Sequence, residues 1–250
     1  MPEEVNYQLG CLKDPTDSND LLLSQYIIPN KLPKAIDWFQ TEVPVLDQGN
    51  LPACVGYASV ALKQNQEKID ENKILNFSGL DLYKRCKEID EMPGVDGTNI
   101  RWALKVLQEE GIPEANGDIY KIGAYTRVTT LEELKYSLVS NGFALLGVRA
   151  MPRMFNPKDG VVFSEEGDVS KGGHCILVGG YDDYSQRITF KNSWGPAWGL
   201  SGYGYLTYEY FNKNLTDGWT AVDIFNEHPT VASTMFDINK LKEDLINVTK

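Results

Sequence analysis

The chain has 250 residues, of which 42% are hydrophobic and 24% are charged, so its composition is that of a globular protein and excludes a disordered or fibrous one. Asp and Glu outnumber Lys and Arg by 35 to 24, and the net charge of −11 argues against nucleic-acid and membrane partners. No apolar run approaches the roughly 18–20 residues that span a bilayer.

The N-terminal half of the chain has a helical pattern. Residues 1–35 contain four prolines and no regular apolar spacing, which predicts an extended or irregular segment. Apolar and small residues then recur on one side of residues 54–69, which predicts a helix beginning just after a proline. A second helix is predicted over residues 99–110, with Gly111 as its stop.

A third helix is predicted after Thr130, whose hydroxyl forms a capping box with Glu133, and Gly142 ends it. Beyond this point the pattern is β-rich, with strands predicted at residues 143–148, 174–179, 187–191 and 203–208. A short amphipathic helix is predicted at residues 236–248. Helices followed by strands are typical of an α+β chain with two lobes.

The four cysteines and two histidines do not form a metal-binding pattern, and no cysteine pair is spaced as CxxC. Cys54 lies at the predicted start of a helix, where free amides and the helix dipole lower the pKa of a thiol and favour a nucleophilic thiolate. The alternative is a buried structural cysteine, which on position alone is the more common case. His228 is interpreted as a surface residue, and Cys175 as a core residue.

Three further residues are candidates for chemistry next to a thiolate. His174 begins an apolar strand, and an imidazole there serves either as a base or as an ordinary structural residue. Asn192 ends a short strand, where it orients the imidazole or makes a turn. Trp194 then shelters that hydrogen bond from water, or is a core aromatic residue.

Gln48 precedes Cys54 by six residues and is followed by Gly49. Its side-chain N–H is close enough in sequence to join the Cys54 amide in an oxyanion hole. A polar turn residue is the simpler interpretation of Gln48 by itself.

Together these residues resemble the papain-like cysteine peptidases. In that family a Gln-Gly turn, the nucleophilic Cys, a Gly-His or Asn-His strand and an Asn-Ser-Trp-Gly-x-x-Trp-Gly block follow in order, as Gln48, Cys54, His174 and residues 192–199 do here. The resemblance covers about residues 33–225. Leu51 stands where many secreted relatives have a disulfide-bonded cysteine. This replacement fits either a reducing compartment or a divergent, microbial-type branch of the family. With the lack of a signal peptide pattern it slightly favours a cytoplasmic location.

The resemblance implies a papain-like two-lobe fold, with a helical N-terminal lobe, a β-barrel-like C-terminal lobe and the active-site cleft between them. It implies a cysteine endopeptidase in which Cys54, His174 and Asn192 are catalytic, Gln48 holds the oxyanion and no metal or organic cofactor takes part. The residues expected to bind a peptide or protein substrate are Gly97, Thr98, Asn99, Ile100, Gly173 and Trp194.

Two other functions share this site, namely a thiol acyltransferase or amidase and a catalytically silent binding module. The expected organisation is an N-terminal extension over residues 1–32, a peptidase domain over 33–225 and a tail over 226–250. The extension is expected to be a short propeptide or lid that inhibits the enzyme in cis. Within it, residues 21–29 are apolar enough to cover the cleft.

Overall fold

The fold is described from a computed structural model, which covers residues 7–40, 42–223 and 236–248. His228 and the predicted boundary between residues 225 and 226 lie outside the described residues.

Three helices form the first lobe: α1 (Cys54–Glu71), α2 (Gly79–Ile89) and α3 (Ile100–Glu109). The predictions for α1 and α3 are confirmed within two residues at each end, whereas α2 was not predicted. Ser78 caps α2 by accepting a hydrogen bond from the Asp81 amide at 3.1 Å. Only one face of α2 is buried, because it packs along α1 at the edge of the lobe. Its apolar pattern is correspondingly sparse.

A large sheet forms the second lobe. Its strands are β2 (Ala35–Asp37), β6 (Ile122–Arg127), β7 (Ala144–Arg149), β8 (Val161–Val162), β9 (Gly173–Asp182), β10 (Arg187–Lys191), β11 (Tyr203–Thr207) and β12 (Leu215–Asp223). They are ordered β6-β12-β7-β9-β10-β11-β8, and β2 pairs with β9. Strands β7, β9, β10 and β11 were predicted. Smaller elements complete the fold: β1 (Cys11–Leu12), β3 (Thr98–Asn99), β4 (Ile112–Pro113), β5 (Ile119–Tyr120) and the four-residue helix α5 (Pro152–Phe155).

Helices α4 (Leu131–Asn141), α6 (Tyr208–Asn214) and α7 (Ile238–Val248) pack on the sheet. The predicted capping box of α4 is present, because Thr130 accepts from the Glu133 amide and Glu133 accepts from the Thr130 amide. Gly142 follows α4 with φ +82°, a conformation that favours glycine. The predicted C-terminal helix is confirmed as α7. The expected α+β architecture with two lobes is therefore confirmed.

The N-terminal extension is irregular, as predicted, and it contacts both lobes. Residues 7–12, called the cleft segment below, run between the lobes, and β1 pairs with β3 in parallel. Leu23 and Tyr26 are instead buried in the core of the sheet lobe, and the Arg127 amide donates to the Leu21 carbonyl at 2.7 Å. The expectation that residues 21–29 cover the cleft is therefore wrong. Their apolar side chains complete the core of the sheet lobe, and the cleft is filled by an earlier and more polar stretch.

Candidate active site

Cys54 is the first residue of α1 and is fully buried. The backbone amides of Cys175, Gly10 and Val55 interact with its thiol and act to lower its pKa. The Val55 amide belongs to the free N-terminal turn of the helix, which is the environment that the sequence predicted. The Gly10 amide belongs to the cleft segment, so the thiol is already engaged by the protein's own N-terminal extension.

His174 and Asn192 are brought together by neighbouring strands. His174 lies near the start of β9, and Asn192 follows the last residue of β10, where its amide donates to the Gly202 carbonyl at 2.9 Å. The His174 Nε2 and Asn192 Oδ1 atoms are 2.8 Å apart. Asn192 Oδ1 also accepts from the Ser193 amide at 2.8 Å, which fixes the orientation of its side chain. Because Oδ1 is an acceptor, Nε2 carries the proton and Nδ1 keeps a lone pair.

Trp194 covers the bond between His174 and Asn192. The Trp194 and His174 rings stack with their centroids 4.4 Å apart, and Trp198 packs edge-on against Trp194 with centroids 5.9 Å apart. Trp194 is only 2% exposed. A hydrogen bond kept from water in this way is stronger and better oriented than an exposed one.

Three hydrogen bonds fix the side chain of Gln48. Its Oε1 accepts from the Ser193 hydroxyl at 2.7 Å, and its Nε2 donates to the Leu51 carbonyl at 2.7 Å. The remaining Nε2 hydrogen is donated to the Gln8 carbonyl at 3.0 Å. This distance lies in the range of about 2.7–3.1 Å that is expected between an oxyanion-hole donor and its oxygen. A peptide carbonyl of the chain itself is thus bound by one of the two groups that the sequence predicted to hold the oxyanion.

The cleft segment also contacts the residues that the sequence predicted to bind substrate. Tyr7 stacks on Trp194 with ring centroids 4.3 Å apart and planes 6° from parallel. The Thr98 amide donates to the Gly10 carbonyl at 2.9 Å, so a residue with a side chain still presents its backbone to a peptide. Directly after the segment, the Lys13 carbonyl accepts from Asn99 Nδ2 at 2.8 Å. Ile100 is fully buried in the same apolar cluster as Cys11.

Two glycines allow the segment to lie this close to the cleft walls. A Cβ atom on Gly173 would lie 2.0 Å from the Cys11 carbonyl oxygen. A Cβ atom on Gly97 would lie 2.4 Å from the Gly10 carbonyl oxygen, and the φ of Gly97 is +88°. A side chain at either position would therefore displace the backbone of the segment.

Burial makes both candidate catalytic groups neutral in this state. Desolvation raises the pKa of Cys54 to about 12 and outweighs the amide hydrogen bonds, which act in the opposite direction. Desolvation likewise lowers the pKa of His174 to about 4, and the hydrogen bond to Asn192 opposes it only in part. The sequence predicted a lowered thiol pKa. That prediction is wrong for this closed state, because the cleft segment removes water from the thiol.

The residues that follow the cleft segment are anchored by charged groups. Asp20 Oδ2 lies 2.8 Å from Arg101 on α3 and 2.8 Å from Arg127 on β6, so it connects both lobes. Asp14 accepts from the Trp219 indole at 2.9 Å, and its amide donates to Asp217 at 3.0 Å. These contacts hold residues 14–20 next to the cleft.

Sequence reasoning did not identify Tyr7, Gln8, Gly10 or Cys11 as part of the site. They lie in a stretch without periodicity or a motif, and their placement depends on tertiary contacts with residues up to 187 positions away. Over the described ranges, no group of three or more His, Cys, Asp or Glu residues could hold a metal ion. No described helix has both the length and the apolar character that crossing a membrane requires.

Comparison with known proteins finds similarity to cysteine peptidases. A family model described as papain family cysteine protease matches residues 114–216, a range that includes His174 and Asn192. An uncharacterized peptidase C1-like protein of Acanthamoeba polyphaga mimivirus is 22% identical over 98% of this chain and 94% of its own length. Cathepsin K of Mus musculus is 27% identical over 89% of this chain and 74% of its own length.

Solved structures share the fold. Xylellain, a cysteine protease from Xylella fastidiosa, superposes with a TM-score of 0.77 at 23% identity, covering 90% of this chain and 99% of its own. A procathepsin B from Trypanosoma congolense superposes with a TM-score of 0.70 at 18% identity, covering 87% of each chain. At these identities the superpositions demonstrate a shared architecture.

Proposed function

Because the chain belongs to the papain-like cysteine peptidase family, we propose that it is an endopeptidase whose catalytic residues are Cys54, His174 and Asn192. The observation that carries this proposal is the peptide carbonyl of Gln8, which accepts a hydrogen bond from Gln48 in a cleft that also holds the thiol. The same cleft is therefore shaped to hold the carbonyl of an extended peptide substrate. Cysteine peptidase activity follows from the family.

In the proposed mechanism, a substrate replaces the cleft segment and water re-enters the site. The Cys54 proton passes to His174 Nδ1, and the thiolate attacks the scissile carbonyl. The Gln48 side chain and the Cys54 amide stabilise the oxyanion. His174 then protonates the leaving amine, and the resulting thioester is hydrolysed by water with His174 as the base. Asn192 keeps the imidazole oriented through both steps.

We further propose that the form described here is latent and that the cleft segment is its inhibitor. The segment binds the oxyanion-hole donor, the thiol and the backbone of Thr98 at the same time, so a substrate and the segment exclude each other. Several of the similar solved structures are proforms, among them procathepsins from Trypanosoma congolense and Tenebrio molitor. This likeness supports the same type of inhibition here.

The test compares the full chain with a chain that begins at Lys13. This deletion removes the cleft segment and leaves Asp14, Leu23 and Tyr26 in place, so the core of the sheet lobe is retained. We expect cleavage of an unfolded protein substrate to be faster for the shortened chain and absent after Cys54→Ala in either chain. Stoichiometric alkylation of Cys54 by an epoxide-type thiol inhibitor, measured by mass spectrometry, should likewise be faster in the shortened chain than in the full chain.

Activity that survives Cys54→Ala would refute the proposed nucleophile. Equal activity of the two chains would refute inhibition by the segment. Product analysis in the presence of an added amine distinguishes hydrolysis from acyl transfer, because the amine intercepts the same thioester. An inert Cys54 in both chains would identify a silent binding module.

A further inference from the structure

Three of the four thiols of the chain meet in the cleft. Cys54 is one, and the other two are Cys11 of the cleft segment and Cys175 of β9, all of them free and buried. The side chains of Cys11 and Cys175 interact, and this interaction is the largest cause of the raised pKa of Cys11. The proposed mechanism uses neither of these two thiols, and the fourth, Cys86, lies on α2.

Backbone geometry explains how Cys11 approaches Cys175. A Cβ atom on Gly147 would lie 3.1 Å from Cys11 Sγ, and Gly147 is the residue directly opposite Cys175 in the pair of β7 and β9. Directly opposed residues of an antiparallel pair have Cβ positions about 4.5–5.5 Å apart on one face of the sheet. A Cβ atom on Gly173, two residues before Cys175 on the same face, would lie 3.7 Å from Cys11 Cβ. Cys11 therefore sits over the face of the sheet that carries Cys175, above two positions without side chains.

From this arrangement we propose that Cys11 and Cys175 are a disulfide-forming pair that fastens the cleft segment in the cleft. The effect of this disulfide on activity rests on the proposed function, whereas its formation does not. The oxidant is a small disulfide such as oxidised glutathione. It reacts with the two protein thiols to give one protein disulfide and two molecules of the reduced small thiol, so electrons and protons balance.

The order of the steps follows from burial. In the docked state both thiols are buried, and burial contributes to the raised pKa of each, so neither reacts readily with a dissolved oxidant. Exchange begins when the cleft segment lifts and exposes Cys11, which forms a mixed disulfide with the small thiol. When the segment returns, Cys175 attacks the Cys11 sulfur and releases the small thiol. The resulting bond keeps the segment over Cys54 until a reductant removes it.

The test uses the full chain equilibrated with either oxidised or reduced glutathione. After free thiols are alkylated, trypsin should release Cys11 in the peptide 1–13, Cys54 in 35–63, Cys86 in 86–87 and Cys175 in 172–187. We expect the oxidised sample to contain a species in which peptide 1–13 is linked to peptide 172–187. Alkylation of Cys54 by an epoxide inhibitor should be at least tenfold slower in the oxidised sample, and dithiothreitol should restore it.

Cys11→Ser should abolish both the linked species and the difference in alkylation rate, and Cys86→Ser is the matched control that should keep both. Absence of the linked species, or a link from peptide 1–13 to peptide 35–63, would overturn the proposal. A correct link with an unchanged alkylation rate would overturn the claim that it retains the segment. Peptide mapping requires no catalytic activity, so its result is independent of whether the peptidase assignment holds.

Discussion

The contact between Tyr7 and Trp194 gives a direct test of latency, because Tyr7→Ala removes the contact without touching the thiol or the imidazole. Stacked aromatic pairs contribute about 0.5–1.5 kcal/mol beyond the area that they bury. The side chain of Tyr7 is only partly buried, so loss of its apolar contact adds roughly 1 kcal/mol, about half the value for a fully buried large side chain. The docked state should therefore lose about 1.5–2.5 kcal/mol relative to the open state.

If the docked state dominates, this change raises the open fraction by roughly 10- to 70-fold, since about 1.4 kcal/mol corresponds to a factor of ten. The assay is the second-order rate of Cys54 alkylation by an epoxide inhibitor, which requires an open cleft. Tyr7→Phe keeps the ring and should leave the rate within about twofold of wild type on the same reasoning. Tyr184→Ala removes a tyrosine that is 83% exposed and serves as the control for a general loss of aromatic contact. Equal rates for Tyr7→Ala and Tyr184→Ala would refute the latency argument.

Other substitutions test the remaining contacts of the site. Gln48→Ala should lower kcat/KM of the chain that begins at Lys13 by roughly 10²–10³, whereas Gln40→Ala, on an exposed residue, should not change it. Gly173→Ala should accelerate Cys54 alkylation of the full chain, because its Cβ would clash with the Cys11 carbonyl; an unchanged rate would contradict the docked geometry. Asp217→Asn should gain stability relative to wild type as the pH rises from 5 to 7.5. Burial raises the pKa of Asp217 from 3.8 to about 6, so wild type loses stability as the pH rises through this interval, whereas the Asn variant does not. Urea midpoints at pH 5 and 7.5 measure the gain.

The sequence predicts the helices and strands that carry the site residues better than it predicts which segment fills the cleft. Helix α1 begins at Cys54, and strands β9 and β10 bring His174 within 2.8 Å of Asn192, because these elements depend on local periodicity and on turn residues. The family resemblance then brings together residues that are far apart along the chain. Periodicity could not indicate the sheet-edge strand β6 with the same clarity, since two of its three buried positions are Ala124 and Thr126, whose small or polar side chains give a weak apolar alternation.

The position of the N-terminal extension depends on shape, which a single sequence does not display. Residues 21–29 are the more apolar stretch and were expected in the cleft, yet the interior of the sheet lobe offers Leu23 and Tyr26 complete burial. The cleft instead favours a stretch that can present backbone carbonyls to Gln48 and Thr98 while approaching Gly173 closely. The segment that lies in the cleft is therefore determined by its backbone hydrogen bonds and by its close fit to the cleft walls, and not by its apolar content.

The charges around the extension bear on how the latent form could open. Burial raises the pKa values of Asp14 and Asp217, so each binds a proton more tightly when the extension is docked than when both are in water. Docking is then coupled to proton uptake, and lowering the pH toward 5 strengthens docking through these two groups. A fall in pH is therefore not expected to open the latent form through Asp14 and Asp217. Reduction of a Cys11–Cys175 bond, or cleavage within the exposed residues 15–19, would release the segment without depending on a fall in pH.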